Sequence, residues 1–247
     1  MSRQAGPDPA EIRAMFGSIA KRYDRANTIL SGGVHHLWRR TLVRWSGAQP
    51  GDRVLDCATG TGDLAIAFAR AVGPEGRVIG TDFSSEMLAP APAKAAKKGV
   101  EVAFETADVT ALPYPDASFD VASIAFGIRN VADPATAMHE MARVVRPGGR
   151  VVVLEFGRPD NPFVRPLFGF YSRRILPALG GLLTGHRDAY GYLDRSAAEF
   201  PTGPRFTSIM LETGLLEQVE SRSLHGGIAW AYRGVRTGRA AGSSASL

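Results

Sequence analysis

The sequence predicts an α/β protein: a doubly wound, mostly parallel seven-stranded sheet with helices on both faces. Three observations carry this. Short apolar runs alternate with amphipathic stretches between residues 53 and 156, and strands that read as continuous apolar runs belong to a parallel sheet covered on both sides. A glycine-rich bend, "ATGTGD" (58–63), follows the first run and opens a helix. Two further runs near the end supply a closing strand pair.

The elements follow in order. Residues 8–46 are helical, with Ile12, Met15, Phe16 and Ile19 on one face, and "YDRANTILSGG" breaks them into pieces. "RVLDCA" (53–58) is the first strand and "DLAIAFARAV" (63–72) the first sheet-packing helix. "RVIGTD" (77–82) is the second strand. "SSEMLAPAPAKAAKKG" (84–99) is a helix with a serine cap and prolines disturbing its middle. "VEVAFETAD" (100–108) and "SFDVASIAFG" (118–127) are the third and fourth strands. "PATAMHEMARVVR" (134–146) is a helix with proline in its first turn, stopped by "RPGG", and "GRVVVLEF" (149–156) is the fifth strand. Residues 157–205 depart from the alternation as an aromatic-rich insertion. "RFTSIMLETG" is a helix, and "LLEQVESRSL" and "GGIAWAYRGV" pair as strands. The organisation expected is one domain over 1–235, with a helical lid (8–46), a cap insertion (157–205) and a disordered tail (236–247).

The 247-residue chain can bury one sizeable core. Its single cysteine, Cys57, excludes a disulfide framework and a cysteine metal cluster, and fits a reducing cytoplasm. The first residues lack the apolar core of a signal peptide, and no run of about 18 apolar residues predicts a spanning helix. The net charge of +5 is spread along the chain, with small basic knots at "HHLWRR" (35–40) and "YSRR" (171–174). A solvated surface accounts for most of that excess.

Ligands of a doubly wound sheet bind beyond the carboxyl ends of its strands. There "GTGDLA" (60–65) satisfies the dinucleotide pattern G-x-G-x-x-A, and Asp82, at the end of the second strand, is placed to hold a ribose. Asp63 dissents. It stands at a helix N-terminus where a pyrophosphate would sit, and a carboxylate there repels an anion. A cationic sulfonium cofactor meets no such objection, and Asp56 and Asp63 would supply negative charge for its amino-acid end. Asp108, after the third strand, is placed for an adenine amino group. The expected cofactor is S-adenosyl-L-methionine, held by Asp56, Gly60, Thr61, Gly62, Asp63, Asp82, Phe83, Asp108 and Val109. Asp63 as a helix-dipole cap and Asp56 as a loop brace are the alternative roles.

With these motifs in this order, the chain resembles the class I methyltransferases. More narrowly, it is similar to the quinone-ring C-methyltransferases of menaquinone and ubiquinone synthesis. Three stretches carry the likeness: "RYDRANTILSGGVHHLWRR" (22–40), "FGIRNVADPATAMHEMARVVRPGGRVVVLEF" (126–156) and "DAYGYLDRSAAEFP" (188–201). The chain departs from the family pattern at Ala26 for Met, Gly157 for Ser or Thr, and in "HGGIAWAYRG" near the end; Ala125 replaces a Ser that the family associates with the cofactor, and the resemblance implies it as a tenth cofactor residue through its backbone alone. The resemblance implies methylation of a ring carbon of a polyprenyl hydroquinone, through in-line positioning and stabilisation of a developing phenolate.

On that likeness, Arg129 is a candidate to act at the ring, holding the phenolate or polarising a water, or to be a lock paired with a lid acid such as Asp24. Asn130 would orient the ring oxygen, Tyr23 would hydrogen-bond quinol or cofactor, and His35 would be a base or a hydrogen-bonded scaffold residue. Asp133 is expected to cap its helix and His139 to be a surface residue. Phe163, Leu167, Phe168, Phe170, Tyr171, Ile175, Leu176 and Leu179 would cover a prenyl tail or simply pack the cap on the sheet. Arg165, Arg173 and Arg174 would meet anionic headgroups in a peripheral membrane contact. No nucleic-acid or metal role is expected, and a homo-oligomer is left open. The rival readings are an O-methyltransferase of another small molecule, a nicotinamide-dependent oxidoreductase lacking a Tyr-x-x-x-Lys pair, and an RNA-binding module lacking stacking aromatics beside its arginines.

Overall fold

A computed structural model of the chain describes residues 24–159, 162–185 and 187–238, with residues 10, 15 and 17. Seven strands form one sheet: β1 (Arg53–Cys57), β2 (Arg77–Asp82), β3 (Ala103–Thr106), β4 (Phe119–Ala125), β5 (Val145–Phe156), β6 (Leu216–Leu224) and β7 (Ala229–Arg236). Their spatial order is β3-β2-β1-β4-β5-β7-β6. β7 runs antiparallel to both of its neighbours, and all other pairings are parallel. The chain builds outward from β1 through β2 to β3, then returns to the other side of β1 with β4. This reversal opens a crevice at the carboxyl ends of β1 and β4.

Consecutive residues of one strand fall on opposite faces, and both faces are dry. Val54, Val121 and Val152 pack into one apolar cluster, while Leu55, Ala122 and Val153 pack into another. The first cluster takes α2 (Val34–Ser46) and α3 (Asp63–Val72) through Trp38, Leu42, Leu64 and Phe68; the second takes α6 (Pro134–Val144) and α10 (Pro204–Glu212) through Met138, Met141, Phe206 and Met210. Asp133 caps α6, accepting the amide N–H groups of Ala135 and Thr136.

Several boundaries differ from the sequence expectation. The stretch 84–99 forms two helices, α4 (Ser85–Leu88) and α5 (Ala91–Lys97), because Pro90 cannot donate to the preceding turn. β3 is half the expected length, α6 stops at Val144, and β5 starts at Val145, ahead of the glycine pair. β7 includes Arg236, which was expected in the tail. Residues 239–247, where disorder was expected, lie outside the described residues, as does most of the stretch before Asp24.

Two assemblies cover the crevice. On the N-terminal side are a helix over 24–30, here α1, and α2. On the other are α7 (Val164–Phe170), a π-helical turn (Tyr171–Ile175) and α8 (Leu176–Thr184), which run on without a break, then α9 (Arg187–Glu199). Pro177 lacks the N–H that an α-helix would need there, which fits the widened turn just before it. Tyr171 Oη donates to the Leu30 carbonyl and joins the two assemblies.

Candidate functional site

The bend after β1 is held open from beneath. Thr59 N–H bonds the Thr81 carbonyl at 2.9 Å. Asp82, 6% exposed at the end of β2, accepts the Gly60 N–H at 2.8 Å and the Ser84 N–H at 3.0 Å. Gly62 has φ +83°, and a Cβ there would lie 2.9 Å from Phe104 Cζ, so only glycine fits at the start of α3. Asp56 is wholly buried below the bend, accepting Thr59 Oγ1–H at 2.6 Å and Ser123 Oγ–H at 2.7 Å. Burial pushes its carboxyl up to about 6 against the pull of both hydroxyls. It acts geometrically as a brace for the loop.

A first cavity stands over this bend. Asp56, Gly60, Thr61, Asp63, Asp82, Phe83, Asp108, Val109 and Ala125 line it, so nine of the ten residues expected to hold the cofactor meet in one place; Gly62 shapes the turn behind it. Asp108 Oδ1 accepts both the N–H and the hydroxyl of Thr110, each at 2.8 Å, which fixes the rim of that loop. The donor set suits an adenosyl sulfonium: a carboxylate at the end of β2, loop backbone open to close approach, and a carboxylate in place of an anion site at the start of α3.

Asp63 and Asp24 are knitted to cations. Lys94 Nζ lies 2.5 Å from Asp63 Oδ1 and also ion-pairs Asp24, while Arg39 Nη1 lies 3.2 Å from Asp63 Oδ2. Thr61 Oγ1 donates to Asp24 Oδ1 at 2.5 Å. Burial alone would raise the Asp63 carboxyl, but Arg39 and Lys94 hold it below the usual range. His35, His36 and Asp63 could share an ion by proximity, yet the two cations already seated on Asp63 oppose one.

The candidates after β4 separate. Phe126 has φ +59°, a conformation strained for a bulky residue, and the next turn is Ile128–Asn130. Arg129 folds inward with its side chain 1% exposed, ion-pairs the wholly buried Glu155 and donates to the Phe126 carbonyl at 2.8 Å. It lines neither cavity and does not reach Asp24, which corrects both expected roles: a buried carboxylate without this cation would be uncompensated. Asn130 does line the first cavity and accepts Tyr192 Oη–H at 3.1 Å. Tyr23 lies outside the described residues. His35 is 4% exposed and hydrogen-bonded to Ser31 Oγ at 2.6 Å. Burial, then Arg39 and His36, lower its imidazole to about 3, so it is a weak base fixed in the scaffold.

A second cavity of about 360 Å³ lies between the two covering assemblies, walled by Trp38, Phe126, Phe156, Phe168, Tyr171, Leu176 and Leu193. Phe126 stacks on Phe156 with centroids 4.4 Å apart, and Trp38 Nε1 donates to His225 Nδ1 at 2.7 Å. Of the eight apolar cap residues, Phe168, Tyr171 and Leu176 line it, while Ile175 is half-buried outside it. Phe163, Leu167, Phe170 and Leu179 instead face outward, with Phe163 87% exposed. Arg39 and Phe126 line both cavities, which therefore meet at these two side chains. Sequence reasoning passed over Arg39, Trp38, Phe156 and His225; the knot "HHLWRR" held the first two, and "EF" and "HGG" the others.

A model of the ubiE/COQ5 methyltransferase family matches residues 5–236. The ubiquinone/menaquinone biosynthesis C-methyltransferase UbiE of Bdellovibrio bacteriovorus is 56% identical over 228 residues, 92% of this chain and 97% of that one. The protein of the same name from Ectopseudomonas mendocina is 42% identical over 92% of this chain and 89% of its own. In fold, the chain is similar to a SAM-dependent methyltransferase structure from Thermotoga maritima, with a TM-score of 0.62, 20% identity, and coverage of 90% of this chain and 98% of that one.

Proposed function

The chain belongs to the ubiE/COQ5 methyltransferase family, and on that premise we propose that its first cavity holds S-adenosylmethionine and its second the ring and prenyl tail of a quinol. It is an S-adenosylmethionine-dependent C-methyltransferase of quinone biosynthesis. The observation that carries the placement is the pair of cavities meeting at Arg39 and Phe126, one rimmed by carboxylates and loop backbone, the other aromatic and aliphatic.

The cofactor brings an electrophilic methyl group on a cationic sulfur. Asp82 is placed to accept ribose hydroxyls while Gly60 and Ser84 fix its oxygens. Asp63, already paired with Arg39 and Lys94, lines the wall of the first cavity at the start of α3. Val109 and Ala125 flank the base and the thioether, Ala125 through backbone alone. Asn130, anchored by Tyr192, faces the same cavity from the β4 side. Demethylmenaquinol and a polyprenyl benzoquinol present the same reacting edge to this site.

The acceptor's tail gives the outward apolar residues a use. Ile29, Leu37, Phe163, Leu167, Phe170, Leu179 and Leu182 are all exposed, and Arg165, Arg173 and Arg174 stand exposed on the same covering helices. Among the described residues no helix is long and apolar enough to cross a membrane. Peripheral contact with an anionic bilayer follows, with the second cavity drawing its substrate from the leaflet.

The reading is tested with deuteromethyl-labelled S-adenosylmethionine and reduced demethylnaphthoquinol or benzoquinol in anionic vesicles, without oxygen. Label on a ring carbon is the expected product. Label on oxygen supports the O-methyltransferase alternative instead, and sedimentation of the protein with neutral and anionic vesicles alike would remove the charge-assisted membrane contact.

A further inference from the structure

Phenolate stabilisation needs a cation beside the acceptor ring, and Arg129 is not available for it. Among the described residues, two side chains border both cavities, and one of them is charged: Arg39. Its side chain is 13% exposed, and its guanidinium lies 5.7 Å from the Phe126 ring centroid, a cation–π contact that fixes its height at the junction. Its Nη1 is buried with no aligned hydrogen-bond acceptor among the described residues, although it ion-pairs Asp63 at 3.2 Å. Lys94 sits closer to Asp63, at 2.5 Å, and also ion-pairs Asp24, so Arg39 is the more distant of the two cations on Asp63. The adjacent Trp38, 4% exposed and bonded to His225, holds α2 in register.

We propose that Arg39 is the catalytic cation of the methyl transfer, binding the ring oxygen as a phenolate and turning the neighbouring ring carbon toward the first cavity. This rests on the quinol C-methylation reading. A phenol ordinarily ionises near about 10, and an opposite charge within contact distance lowers that by roughly 1–3 units. The hydroxyl proton passes to water. The ring carbon then forms a bond to the methyl carbon as the methyl–sulfur bond breaks, its electron pair leaving with the sulfur as a thioether. The hydrogen on that ring carbon departs to water as a proton, aromaticity returns, and the oxygen is reprotonated. One proton is released per methyl transferred, and no oxidant or reductant is consumed.

The test measures single-turnover methyl transfer to a short-chain quinol across pH, beside calorimetric affinity for S-adenosylhomocysteine, in the native chain, Arg39→Gln and Arg39→Lys. Arg39→Gln is expected to slow transfer at pH 7 by about 100- to 1000-fold, with the S-adenosylhomocysteine Kd within about threefold of native. Its rate should recover at high pH and on a ring-chlorinated, more acidic quinol, and Arg39→Lys should fall between. Affinity lost in step with rate would assign Arg39 to the cofactor and overturn the proposal. So would equal losses on acidic and ordinary quinols. Failure of the native chain to methylate any quinol would instead bring down the reading on which the proposal rests.

Discussion

Arg129 and Glu155 form an ion pair withdrawn from solvent, their side chains 1% and 0% exposed. The pair does positional work. Arg129 holds the carbonyl of the strained Phe126, and Glu155 accepts the N–H of Phe156 at 2.7 Å, so both stacked rings at the cavity junction hang from it.

Removing one partner strands a buried charge, which costs about 3–5 kcal/mol. Arg129→Met should therefore lower the unfolding free energy measured by urea titration by about that amount. The double variant Arg129→Met, Glu155→Leu should recover most of it, since an apolar pair of similar volume needs no compensation. A single variant within about 1 kcal/mol of native would contradict a structural role.

Asp56 makes a pH signature. Its carboxyl is pushed by burial to about 6 from an ordinary 3.8. Between those values the folded chain holds a proton that the unfolded chain has released, so this contribution to stability falls as pH rises through the window, by about 3 kcal/mol in all. Native stability minus that of Asp56→Asn should show this fall between about pH 4 and 6. A flat difference would mean the carboxylate is charged in the fold.

The Asp24–Lys94–Asp63 network ties α1 to α5 and α3 through side chains 41%, 21% and 18% exposed. Partial exposure limits the Asp24–Lys94 link to about 1 kcal/mol or less. Asp24→Asn should leave the global unfolding midpoint nearly unchanged while amide hydrogens over 24–46 exchange about fivefold faster, and 0.5 M salt should act similarly on the native chain. Unchanged exchange would show that the covering helices are held by packing alone.

The glycine bend and Asp82 were legible in the sequence because strand, turn and acid lie within one short βαβ unit, where spacing determines geometry. Arg129 was misplaced because its partner Glu155 lies 26 residues downstream, and β4–β5 register, invisible in a linear reading, brings them together. The cap was half legible. Apolar character marks Phe163 and Phe168 alike, but which of them turns inward depends on how α7 lies over the crevice. Arg39 looked like one surface charge among many because nothing local shows that α2 lies across the crevice.

The most direct measurement is a crystal structure with S-adenosylhomocysteine and a short-chain quinol bound together. The ribose should lie against Asp82, the thioether beside Ala125, and the ring beside Arg39 in the aromatic cavity, leaving room for a methyl in line between sulfur and ring carbon, within reach of a near-attack distance of about 3–3.5 Å. A quinol ring outside that cavity, or a ring and thioether kept apart by Phe126, would contradict the two-cavity account.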